Sequence, residues 1–567
     1  MLRASFGPRL LALGVVCTCI RLEAGDFFVA PGGSPFGPGT VSQPYDLVTA
    51  LSGLAGGPGD TFWLRGGDYM LGHLNTTVHG DPGNPITFRS APGEAARIDG
   101  SLSIFNSIGH VVFRDFELYR SDTNRVSAQT GVGFNVTDIS IIPGIACYAP
   151  NLSFINLVVR DQTRHAIYTD HLATNILVYG CILFNNGWRS PDNAEGHGIY
   201  AQGSVGTRTM TENIVFNNSG CNLHVYENSP NHRLVGVTLD GNVAFNAGAI
   251  QDVRDYRDWI VGVDFPAEYA DEIILTNNMS YRLPDLSTQS EAQIGRDATN
   301  GTLVLADNYL PLGLLVNNWS NATVTGNLLA PRLMASYVVS LLQAVSPLSV
   351  SWDNNTYVSP PAGNQTLLNL TPYSFSEWQT ATGFDLDTTF VIGDLEGTRI
   401  FVSSNQYEAG RANIIIYNWD NLDQVAVDVS SVLPVGWGFE VRNAQNWHAA
   451  PALVGVYSGQ PLQLPMTNLT VAVPNGQMVT PPPTGPTFNV FVLLPRPGKL
   501  EVRPVGGGIQ VSWPAGLGGN SLQASDNLIG GPGWSSVTNV PVVAGNQCMI
   551  TEPAGSGPRF YRLQPGQ

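Results

Sequence analysis

The sequence predicts an all-β chain, a long wall of stacked strands followed by one or two β-sandwich domains. Three observations predict it. The chain holds 62 glycines and 39 prolines with only 13% charged residues, and it lacks long helical periodicities. That composition describes many short strands joined by turns. Second, asparagine followed by two or three alternately apolar residues recurs: NLVVR (156–160), NIVFNN (213–218), NVAFN (242–246), NMSYR (278–282), NYL (308–310) and NLL (327–329). CILFNNG (181–187) fills the widest gap. Such self-similarity, at roughly 20–60 residues, marks a solenoid, and asparagines stacked in its turns can pass amide hydrogen bonds from coil to coil. Third, from about Thr398 the alternation sharpens in RIFVSSNQYEAGRANIIIYNWDN (399–421), VAVDVS (425–430), WGFEVRNAQNW (437–447) and FNVFVLL (488–494). Turns there fall at sandwich spacing.

In chain order, Arg3 and Arg9 precede an apolar run from Leu10 to Ile20 and the small residues Ala24 and Gly25. This reads as a secretory signal over residues 1–25, because the run is shorter than the roughly 20 residues needed to span a bilayer. Cys17 and Cys19 would leave with it. Cys147, Cys181, Cys221 and Cys548 remain, without CxxC spacing, so they do not suggest a metal site. A disulfide and buried free thiols both stay open. FFVAPGGSPFGPGTVSQPYDLVTAL (27–51) reads as a strand, a turn and a short helix from Tyr45 to Leu51. GDTFWLRGGDY (59–69) and PITFRSAPGEAARIDG (85–100) add three more strands.

This opening resembles the N-terminal cap of secreted right-handed parallel β-helix proteins of the pectate-lyase-like superfamily. The resemblance implies a right-handed parallel β-helix over 26–395, closing near SFSEWQTATGFDLDTTF (374–390) after coils that fade from about residue 360. It implies an accessory β-sandwich over 396–495, with the linker PPPTGP (481–486) before its last strand. Residues 498–567 resemble a small C-terminal sandwich module of large secreted bacterial proteins. The superfamily hosts lyases, hydrolases, epimerases and adhesins, so fold alone does not choose among them.

Three near-copies of one phrase mark a candidate active surface, whose tyrosine column could equally be a structural stack: HAIYTD (165–170), HGIYAQ (197–202) and LHVYEN (223–228). Laid over one another as strands, they put Ile167, Ile199 and Val225 inside and Tyr168, Tyr200 and Tyr226 outside. Asp170, Gln202 and Asn228 follow two residues on, and His224 lies one rung from Gly198, whose missing side chain leaves room. Insertions at 187–196 and 251–259 flank this ladder.

Forty-four acids against 27 bases give a net charge of −17, which disfavours nucleic acid and anionic lipid as partners. Lys499 is the only lysine, so none serves as a base in the repeats. Five of the nine histidines (His165, His171, His197, His224 and His232) cluster with Arg160, Arg164, Arg189, Arg208, Arg233, Arg254 and Arg257. Arginine forks grip carboxylate or sulfate, so this basic strip points to an anionic glycan. Alternatively, the arginines pair with Asp161, Asp170, Glu195, Asp252, Asp255 and Asp258.

His224 and Tyr200 form the best acid–base pair: an imidazole removes a proton and a phenol donates one, or the reverse. Arginine beside a uronate carboxylate would stabilise the carbanion-like state of a β-elimination. The catalytic candidates are therefore Tyr200, His224, His197, Asp170 and Tyr226. Tyr168, Arg164, Trp188, Arg189, Glu195, Arg254 and Arg257 are candidates to hold substrate; Trp188 and Trp259 read equally as sugar platforms or as pins of their own loops. His197 and His165 lie in the apolar register, which favours burial. Gly196-His197-Gly198 also resembles one motif of polygalacturonase-type hydrolases, but that family's paired aspartates and Arg-Ile-Lys string lack clear counterparts. Hydrolysis by two of Asp170, Asp192, Glu195, Glu227 and Asp252 is the second reading. A non-catalytic glycan-binding surface is the third. No cofactor is required; calcium is compatible with the abundant carboxylates, although no loop has its ligand spacing. A secreted monomer with a polysaccharide partner is expected.

Overall fold

The turns explain the coil. In a computed structural model, one corner of nearly every coil carries a left-handed residue: Asp115, Asn156, Gly180, Glu212, Gly241, Asn277, Asp307, Gly326 and Asn354, all with φ between 54° and 69°. Glycine, asparagine and aspartate tolerate that backbone best. From Asn213 onward the next residue is a buried asparagine, giving the column Asn213, Asn242, Asn278, Asn308, Asn327 and Asn355. Each Nδ2 donates to the next Oδ1 at 2.8–3.1 Å. It also donates to a backbone carbonyl of the coil before, as Asn278 does to Leu239 at 2.9 Å. Asn156 is not in the column. It takes the left-handed place one residue earlier, and Cys181 ends the column by donating its backbone N–H to Asn213.

The structure describes residues 24–564 except 266, 287–290, 333–335, 343–348, 497–499, 515–520, 527–532, 545–546, 554 and 556. The expected leader, with Cys17 and Cys19, and Lys499 lie outside the described residues. A parallel sheet of 12 strands runs from Asp26–Val29 to Ser349–Asp353. Two further parallel ladders, joined through the long strand Ala96–Ile104, complete a right-handed β-helix with three strands per coil. Inside, Phe62, Phe88, Phe113 and Phe154 stack from coil to coil at 4.8–5.7 Å between ring centres. The short N-terminal helix is Leu47–Leu51, capped by Asp46. Ladder strands continue to Thr389–Ile392, past the point where the sequence repeats weaken. The helix Phe375–Thr382, with a Ser374/Glu377 capping box, buries Trp378 against that end.

Beyond it, an antiparallel sheet of five strands, Thr398–Ser404 to Phe488–Arg496, faces the pair Gln424–Val427 and Leu462–Pro465 across an apolar core. This sandwich sits on the flank of the coil: Phe488 stacks on Tyr281 at 4.4 Å, and the Tyr417 hydroxyl donates to the Ser280 carbonyl at 2.7 Å. Two small sheets between Glu501 and Gln564 share a separate core around Trp513. Cys147, Cys181, Cys221 and Cys548 are buried free thiols. Among the described residues, no helix is long and apolar enough to cross a membrane.

Candidate active site

The HxIY-like phrases occupy successive strands of one ladder: Ile167–Thr169, Ile199–Ala201 and Leu223–Glu227. Ile167 faces Ile199 and Tyr168 faces Tyr200, as the alternation requires. The third copy is displaced by two residues. Leu223 pairs with Ile199 and His224 with Tyr200, so His224 takes the rung expected for Tyr226. A two-residue slip keeps every side chain on its face, so hydrophobic pattern alone does not exclude it. Gly198 leaves no space for His224. A Cβ there would lie 2.1 Å from Val215 Cγ1, so this glycine is needed for close packing.

The outward row is a continuous aromatic strip. Ring centres are 6.0 Å apart from Tyr148 to Tyr168 and 5.6 Å from Tyr168 to Tyr200. Tyr200 stacks on His224 at 5.0 Å and 17°, and His224 on Tyr226 at 4.5 Å and 14°. Tyr148 was not anticipated, although IACY (145–148) matches IYTD (167–170) in register. The Tyr168 hydroxyl donates to Gln202 Oε1 at 2.8 Å and approaches Asp170 at 3.2 Å; Gln202 Nε2 donates to the Tyr200 hydroxyl at 3.3 Å. Burial first, then Glu227 and Glu195, raises the Tyr200 pKa above that of an ordinary phenol. The shift favours the protonated phenol over the phenolate. Tyr226 donates to Asp264, which also holds Arg296, and Arg296 lies 5.3 Å over the Tyr226 ring. Asp264 and Arg296 carry no repeat signal and were missed.

Two further histidines stand behind the strip. His165 and His197 are buried with parallel rings 4.9 Å apart, and His197 Nε2 lies 3.0 Å from His224 Nδ1. Burial, then the Arg164 charge, pushes His197 down to about 3, while the adjacent Cys221 carbonyl favours a proton on that ring. His197 Nε2 and His224 Nδ1 share one proton; where His224 donates it, the lone pair of His224 is left on Nε2. His197 Nδ1 is buried without a hydrogen-bond partner of good geometry, and Gly220 packs against it so closely that a Cβ would come within 2.6 Å. His197 is thus buried behind His224 and in hydrogen-bond contact with it.

Loops build the walls. All leave the coil at one corner: 187–196, the segment before Trp259, and an unanticipated one spanning 120–144. Arg125, wholly buried, ties the last of these to Asp161 and to the Asn185 and Gly187 carbonyls. The same loop covers Trp188, which is 0% exposed against Val136 and Ile139. Trp188 is therefore a wall anchor and no sugar platform. Trp259 is also buried, its Nε1 bonded to Ser280 Oγ at 2.7 Å. The basic strip is largely neutralised by acids. Arg160 pairs with Glu117 and Asp161, and Arg189 with Asp252 and the Gln477 carbonyl. Arg257 lies 3.7 Å from Glu291, and Arg208 is buried on backbone carbonyls. Arg189 and Arg257 are thus engaged in structural pairs. Arg164 keeps an open side, touching Glu195 at only 3.5 Å. Arg254 is held between Phe134 and Tyr256 and donates to Asn193.

Among the described residues, His165, Glu195 and His197 bring ligand atoms within 4.8 Å of one another. Yet His165 Nδ1 accepts the His197 backbone N–H at 3.1 Å, which leaves its proton on Nε2, facing Glu195 at 3.9 Å. A metal on that nitrogen would require an imidazolate or a broken backbone bond, so the cluster suits a proton network better than a metal. Of the carboxylates considered for hydrolysis, Glu227 is 0% exposed and Asp192 is bound by Ser190 and the Gly131 N–H. Asp252 is spent on Arg189.

No family model and no curated protein matches the chain. Solved structures do. A pectate lyase shares 13% identity over 62% of this chain and 80% of its own, with a TM-score of 0.37. A lacto-N-biosidase from Eubacterium ramulus shares 12% over 66% and 68%, at 0.40. The A-module of a mannuronan C-5 epimerase from Azotobacter vinelandii shares 14% over 62% and 94%, at 0.37. The chain is similar to these proteins in its parallel β-helix.

Proposed function

We propose that the chain is a secreted enzyme that cleaves an acidic polysaccharide by β-elimination, with His224 as base and Tyr200 as acid. One observation carries this reading: Tyr200 and His224 stack 5.0 Å apart on adjacent strands, one raised in pKa and the other held as a neutral imidazole. In the reaction His224 Nε2 takes the proton α to the sugar carboxylate. The electron pair forms the new C–C double bond, and the glycosidic C–O bond breaks as Tyr200 protonates the leaving oxygen. Arg164, whose charge reaches Tyr200, and Arg296, whose charge reaches His224, offset the charge that builds on the carboxylate, with Arg254 at the edge. A hydrolase would need two carboxyl groups flanking the bond; Glu227 is buried, which leaves Asp170 and Glu195 as the partly exposed pair for that reading.

The test is a screen of uronate-containing and sulfated glycans that reads two signals. A lyase yields an unsaturated uronate that absorbs at short ultraviolet wavelengths as well as new ends. New reducing ends without that absorbance would assign a hydrolase, and neither signal would leave a binding protein. The pH profile gives a second check. Burial, then the His197 charge, lowers His224 well below the ordinary imidazole value of about 6.5. The base is active when neutral, so the acid limb of kcat/KM is expected below that value. Tyr200 is active when protonated, so the alkaline limb is expected above the ordinary phenol value of about 10. An acid limb centred near 6.5 would mean that the titrating base is not this buried imidazole.

A further inference from the structure

Phe105 and Tyr148 lie where the strip leaves the proposed catalytic pair. Ile104 pairs with Cys147, and Cys147 with Thr169. Phe105, Tyr148, Asp170 and Gln202 therefore follow one another at the same outward position of successive strands. The two rings are parallel, 4.4 Å apart at 4°, and remain 42% and 37% exposed. Tyr148 meets Tyr168 edge-on at 6.0 Å, so the rings join the strip without a break. Neither ring is enclosed by core, and burying both would recover apolar area now lost to water.

We propose that Phe105 and Tyr148 form a distal subsite that stacks a pyranose ring of the same polysaccharide chain, one to two coils from the Tyr168–Tyr200 step. This rests on the reading of the strip as a polysaccharide cleft. The two rings face each other, so they offer a pyranose the outer face of Phe105 and the exposed edges of the pair, whose apolar area the axial C–H groups of the sugar cover while its hydroxyls stay in water. Strands repeat at roughly 4.8 Å along the coil axis, close to the length of one sugar in an extended chain. A polymer lying along the axis therefore sets successive rings over successive coils. The subsite selects long chains and acts on binding, not on the chemical step.

Affinity electrophoresis tests this without requiring cleavage. Native gels are cast with polygalacturonate, alginate, xylan or galactan, and the wild type is compared with the double variant Phe105→Ala/Tyr148→Ala and with Phe105→Tyr. Thermal unfolding and circular dichroism are expected to be unchanged, since both rings are exposed; Phe105→Ser alone serves as a milder probe if the double variant misfolds. Uronate gels are expected to retard the wild type and Phe105→Tyr, and the double variant several-fold less. Retardation confined to the neutral gels and lost in the variant would keep the subsite and remove the acidic substrate. Equal retardation of wild type and variant, or no retardation in any gel, would overturn the subsite.

Discussion

Tyr200→Phe is expected to lower kcat on a uronate polymer by roughly 10²–10⁴, the range for loss of a positioned general acid. The substitution keeps the ring, and with it the stacks on His224 and Tyr168. It removes only the hydroxyl, whose hydrogen bond with Gln202 spans 3.3 Å. Stability and KM should therefore change little, and the loss should fall on kcat. Such a split separates a transition-state role from a packing role. Initial rates of double-bond absorbance, beside an unfolding curve, give both readouts. Turnover within roughly tenfold of wild type would take the leaving-group proton from Tyr200 and return it to solvent or to another donor.

Asn278→Ala should lower stability by on the order of 2–4 kcal/mol. Asn278 Oδ1 accepts both the Asn242 backbone N–H, at 3.1 Å, and its Nδ2, at 3.0 Å. Its own amide donates to Leu239 and Asn308. Alanine strands a buried N–H and a buried carbonyl while leaving the backbone path unaltered. Leaving such groups unsatisfied costs more than the bonds contribute when made. Because each coil contacts chiefly its neighbours, the weakening should spread to the coils on either side. Urea unfolding followed by tryptophan fluorescence measures it, and a midpoint equal to wild type would show that the column is dispensable.

Much of this arrangement could be read in the residues themselves. Alternation placed Ile167, Ile199 and the tyrosines on their correct faces, because strand side chains obey a period of two. The same rule hid the slip at His224, since a shift by two preserves facing, and only the hydrogen-bonded ladder reveals the register. The asparagine column was legible as repetition, yet Asn156 was misplaced because the neighbouring corner position also favours asparagine. Between platform and loop pin, Trp188 could not be decided from the sequence, for another reason. Its exposure depends on the loop carrying Val136 and Ile139, which has no periodic signature. The arginines likewise depend on acids far away in sequence, such as Asp252 for Arg189, 63 residues on. Side chains fixed by period were readable; those fixed by distant partners were not.

The overhanging loops leave the coil at one corner and the asparagine column occupies another. This separation has a consequence for how such a protein diversifies. An overhang can grow, shrink or be exchanged without disturbing the winding, while the floor of tyrosines and histidines keeps its spacing. Polymer preference can thus drift through lineage after lineage on an unaltered frame, with Arg125 as the rivet that any new overhang on its side must replace.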